Sequence, residues 1–145
     1  MRKIKDFVIK NFATLETIFS IALAISLWLL VYKQNYYKTA ITLSVLLLAL
    51  IYLFKSLQRC EKLSYIIDWL SIRQQWLSYA ILILAIGSKL TFNGNNALLI
   101  VGVLMNIISM AILTYLFAKR KIEFKLEYYI RAVIFLFLSY YAFNF

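Results

Sequence analysis

Apolar and polar residues follow one another along this chain in long blocks. The longest block runs without a charge from Leu90 to Ala118. Within it, residues 97–118 form a 22-residue apolar segment. As a helix rising about 1.5 Å per residue it covers about 33 Å, enough for a hydrocarbon core about 30 Å thick. Two shorter charge-free runs, Thr17 to Tyr32 and Thr39 to Phe54, flank the polar turn Lys33 to Lys38. They predict an antiparallel helical hairpin whose helices extend into the turn, spanning about 17–35 and 37–54. A third span is predicted over 76–92. It is joined to the span at 97–118 by Asn93-Gly94-Asn95-Asn96, where glycine is expected to supply a positive φ.

Between these blocks the period changes. In residues 1–16, Ile4, Phe7, Val8, Phe12 and Leu15 fall at helical spacing, with Arg2, Lys3, Lys5 and Lys10 elsewhere around the helix. An amphipathic helix at the membrane surface is expected there. A signal peptide also begins with positive charge, but Ala22-Leu23-Ala24 would put its cleavage site inside the apolar run. Residues 55–75 carry a stripe of Leu63, Ile66, Ile67 and Leu70 and read as a second, cytoplasmic, amphipathic segment. Trp69 and Trp76 are expected at headgroup depth. From Ile122 to Tyr128 an alternating pattern leaves strand and helix undecided. The final charge-free run, Ala132 to Phe145, reaches across as a fifth span over 128–145 if Arg131 snorkels. The expected fold is therefore an all-α integral membrane protein, a bundle of four or five transmembrane helices with amphipathic interfacial helices, in a single membrane domain of 145 residues.

Composition agrees: 64% of residues are hydrophobic and 15% charged, with a mean hydropathy of +0.82. A soluble domain of this size leaves about a third of its chain's area in water and needs more polar material than that. The net charge of +10 does not point to nucleic acid, because the basic residues sit in short clusters between apolar runs. Of the 16 Lys and Arg, only Lys33, Lys38 and Lys89 lie on one side of the alternating threading. The other thirteen lie opposite, which predicts a cytoplasmic N-terminus in a cell membrane and, with five spans, an outward C-terminus. The two hairpins begin at similar spacings, yet no residue pattern repeats between them.

Candidate chemistry is sparse. The chain has no histidine and one cysteine, Cys60, so Cys/His metal motifs and internal disulfides are excluded. No catalytic residue, metal ligand or cofactor motif is assigned. Glu16 alone among the carboxylates borders a span; it complements the helix N-terminus or, on a sharper reading, couples protons. Gly102, Asn106 and Ser109 share one face of the fourth span, which is expected to pack on another helix or line a pore, since an amide facing lipid is costly. Ala80, Gly87 and Ser88 on the third span, or Ala22 and Ser26 on the first, are the expected partners. Arg59, Lys62, Lys119, Arg120 and Lys121 are basic residues that suit anionic lipid or an acidic partner. Glu61 with Asp68 and Glu123 with Glu127 could pair carboxylates for a lipid-modifying enzyme, but lysines and arginines interleave them. The expectation is a non-enzymatic membrane protein that acts through contacts with another membrane protein or with a second copy of itself. A small oligomeric transporter or channel is the alternative.

Overall fold

The computed structural model describes residues 2–32, 36–57, 66–92, 94, 96–119 and 126–144, and the side chains of these except 2–5 and 66–71. No proline interrupts the chain, and the described residues form six helices. These are α1 (Arg2–Lys10), α2 (Phe12–Val31), α3 (Tyr37–Ser56), α4 (Ile66–Phe92), α5 (Asn96–Ala118) and α6 (Leu126–Asn144). Five of them, α2, α3, Ile72–Phe92 of α4, α5 and α6, are long and apolar enough to cross a membrane. The protein is an all-α helical-bundle membrane protein with five such helices. From Leu126 onward the undecided segment is helical; residues 122–125 lie outside the described residues.

Helix is the conformation that satisfies backbone groups within one segment in a medium without water. The hydroxyls in these helices follow the same logic: Ser26 donates to the Ala22 carbonyl, Ser44 to Ala40, Thr91 to Gly87 and Ser139 to Phe135. Each short side chain thereby finds an acceptor one turn back on its own helix.

α4 is the central element, with 67% of its span buried against 17% for α2. α3 and α5 flank it, α2 packs on α3, and α1 lies against α3 and α2. α6 leans on α4 and α5, whereas the backbones of α2 and α6 stay apart and the two helices meet through side chains. Two glycines set the tight crossings. A Cβ on Gly87 would stand 2.6 Å from a Val45 methyl of α3, and one on Gly102 would stand 3.1 Å from the Leu82 Cα of α4. Because lipid is as apolar as leucine, such close backbone approach and its dispersion contacts supply much of the association energy.

Three local expectations change. Asn11 bends the chain without breaking its hydrogen bonding, since its N–H reaches the Phe7 carbonyl and its own carbonyl accepts from Leu15. α1 is thus nine residues long, and Phe12 to Glu16 belong to α2. Gly94 does not adopt a positive φ. Its surroundings are tight, as a Cβ there would lie 2.6 Å from the Ser88 Oγ and 3.2 Å from the Ser88 carbonyl oxygen, to which its N–H donates. The left-handed residue among those described is Tyr36, at φ 77°, before α3. Finally, Ile66–Gln75 is continuous with the third span as part of α4, so Gln75 lies inside the bundle rather than in a surface segment.

Candidate functional site

The charged centre of the molecule forms where α2, α4 and α6 begin and α3 ends. Glu16 lies in the second turn of α2 and Arg131 in the second turn of α6. The Arg131 Nε and Nη2 donate to the two carboxylate oxygens of Glu16 at 2.5 and 2.6 Å. This is the forked geometry that makes arginine the preferred partner of a carboxylate. Tyr52 of α3 donates its hydroxyl to the same Glu16 oxygen at 2.8 Å, and Arg131 Nη1 reaches Glu127, one turn earlier on α6, at 3.2 Å. The Glu16 and Arg131 side chains are only 13% and 17% exposed. Arg131 does not snorkel to the surface; it turns inward, because Glu16 offers a charge that the headgroup region would otherwise supply.

An aromatic cluster walls this pair. Tyr52 stacks on Trp76 at 5.9 Å, Phe12 meets Trp76 edge-on at 5.1 Å, and Phe135 meets Tyr52 edge-on at 5.7 Å. Arg131 lies 5.4 Å from the Trp76 ring and Lys55 lies 4.8 Å from the Phe12 ring, so the cluster's faces are taken by the protein's own cations. Trp76 is therefore buried in the bundle and is not a headgroup anchor; the Trp69 side chain lies outside those described. Nearby, Arg73 Nε donates to the Ser56 carbonyl at 2.7 Å and caps the end of α3.

Beside the ion pair runs a cleft of about 480 Å³ between α2 and α6. Tyr52 and Phe135 form its floor, Thr17, Ile21 and Ala24 one wall, Ile130 and Ile134 the other. The wall residues Ile21, Ile130 and Ile134 are about half exposed, so the cleft opens sideways, toward lipid in a membrane.

A second polar cluster sits between α4 and α5. Gln75 Nε2 donates to Asn106 Oδ1 at 3.2 Å, and both residues are fully buried. Gln75 Oε1, Asn106 Nδ2 and Ser109 Oγ find no hydrogen-bond partner among the described residues. Gly102 thus meets Leu82 and Asn106 meets Gln75, both on α4, with Ser109 buried on the same face of α5; of the expected partners, Gly87 faces Val45 of α3. On α2, Ser26 instead reaches Ser44 of α3 at 3.3 Å.

Of the basic residues singled out, Lys119 is exposed beside the Tyr115 ring at 5.9 Å. Arg59, Lys62, Arg120 and Lys121 lie outside the described residues, as do Glu61 and Glu123. Asp68 belongs to α4, with its side chain not described. Among the described residues no group of three His, Cys, Asp or Glu side chains could hold a metal ion. Sequence reasoning missed Tyr52, Gln75 and the partner of Glu16. For the last a signal existed: Glu16 and Arg131 are opposite charges at the beginnings of the first and fifth spans, which alternate threading puts at one end.

Comparison with known proteins gives no match to a family model, to a curated protein or to a solved structure.

Proposed function

We propose that this is a non-enzymatic membrane protein that works through contacts inside the bilayer, as an accessory, assembly or immunity-type subunit of another membrane protein or of its own oligomer. The observation that carries the reading is the use of Glu16. Its carboxylate is closed in a fork with Arg131 and capped by Tyr52, so it ties the first span to the last. Its charge is met by the protein's own guanidinium, which supports a role in holding the bundle together. The outward faces of α2, α5 and α6, with Ile25, Trp28, Leu104, Ile108, Val133 and Phe137 exposed, offer apolar surface for lipid or a neighbouring helix.

By the distribution of basic residues the N-terminus lies in the cytoplasm of a cell and the C-terminus outside. Cys60, as the only cysteine, tests this without mutation. A membrane-impermeant maleimide is expected to label it only after the membrane is opened; labelling of intact cells reverses the orientation.

The subunit reading is tested by native mass spectrometry of the protein gently extracted from its own membrane. A stoichiometric second protein supports it; a lone monomer or a homo-oligomer overturns the heteromeric form and turns the question to flux in liposomes. The transporter reading draws on the unpaired polar atoms of Gln75, Asn106 and Ser109. Asn106→Leu separates the two: a packing contact loses stability or assembly, whereas a polar lining loses flux in liposomes with the assembly intact.

A further inference from the structure

We infer that the cleft between α2 and α6 is a binding site for a phospholipid with a zwitterionic amine headgroup, one that seats a hydrocarbon chain between the helices. The shape of the cleft limits its occupant. From Glu16 to Ala24 on α2, and from Glu127 to Phe135 on α6, the lining covers nine residues of helix, about 12 Å from first to last. A membrane-crossing helix is about 30 Å long and overruns so short a cleft, whereas a headgroup and the first methylenes of its chain match it. The walls suit the methylenes, since Ile21, Ala24, Ile130 and Ile134 present only hydrocarbon.

The mouth selects the headgroup. Two carboxylates, Glu16 and Glu127, and one guanidinium, Arg131, line it, a formal excess of one negative charge. Three N–H groups of Arg131 are engaged by the carboxylates, which leaves two of its five donors for a phosphate oxygen. Glu127 is 75% exposed at the side chain and stands ready to accept from an ammonium group. A phosphate beside Arg131 and an ammonium beside Glu127 is the charge order of an ethanolamine headgroup. An anionic glycerol headgroup brings no cation to Glu127 and adds a second negative charge to the site. This inference does not depend on the subunit reading, because the cleft is built within one chain.

The test is native mass spectrometry of the full chain released from bilayer discs of equal parts phosphatidylethanolamine and phosphatidylglycerol with matched acyl chains. One phosphatidylethanolamine is expected to remain bound after the other lipids are stripped, favoured at least five-fold over phosphatidylglycerol. Ala24→Trp and, separately, Ser20→Phe, both at exposed positions, are expected to abolish that retention without lowering the thermal midpoint. Glu127→Gln is expected to keep a bound lipid but bring the headgroup preference close to one. Retention indifferent to headgroup, retention unchanged by the filling substitutions, a preference unchanged by Glu127→Gln, or photocrosslinking from position 24 into another protein's helix each overturns the assignment.

Discussion

Glu16 and Arg131 each need the other. A lone charge at this depth would face several kcal/mol of desolvation, whereas a matched and hydrogen-bonded pair nearly balances it. Removing one partner should therefore be worse than removing both. Arg131→Leu is expected to destabilise the protein by about 3–5 kcal/mol, and the double variant Glu16→Leu/Arg131→Leu to recover most of that loss. Reversible unfolding in mixed micelles measures both. A double variant as unstable as the single one would mean that Arg131 acts through its contact with Trp76 and not through Glu16. Tyr52→Phe removes a hydrogen bond to a charged acceptor and should lose about 1.5–3 kcal/mol in the same assay.

The helices themselves were largely legible, because long and nearly charge-free apolar blocks have few other uses than to cross a bilayer. Their ends and partners were not. The start of α2 was hidden because Phe12 and Leu15 continue the stripe of the preceding helix, and only the bend at Asn11 reassigns them. Gln75 follows Arg73 and Gln74 in a polar stretch, so its burial depends on α4 running on unbroken from Ile66, a fact of tertiary packing. Glycine's role at Gly94 was misplaced for a related reason: a turn can need the absence of a Cβ as much as a left-handed backbone. At this scale the crossing of α3 and α4 is the testable part. Gly87→Ala pushes a methyl into Val45 and is expected to lose about 1–3 kcal/mol by overpacking. Adding Val45→Ala should return much of that. Thermal melts of the three variants give the comparison, and additive losses would mean the two side chains do not meet.

For the whole molecule, the last helix completes what the first begins. α6 covers Tyr79 through the Tyr128 carbonyl, bonds Thr114 of α5 through Tyr129, and supplies Arg131 to Glu16. A chain stopped after Lys119 keeps the two hairpins but loses all three contacts. It is expected to accumulate at several-fold lower steady-state level, and residues 120–145 expressed as a separate chain are expected to restore it. Quantitative blotting of membrane fractions reads this outcome. Equal levels with and without α6 would show that the hairpins are stable alone.

The span of 115 residues between Glu16 and Arg131 also fixes an order of events in time. At a synthesis rate of about 5–20 residues per second, Arg131 is made about 6–23 s after Glu16. Through that interval the newborn first helix carries a carboxylate with no guanidinium to meet it, and it must wait at the membrane's edge or beside the insertion machinery. A ribosome that stalls or a message cut short leaves the acid exposed for good. The bond that holds the finished bundle closed is thus absent from every copy that ends before Arg131.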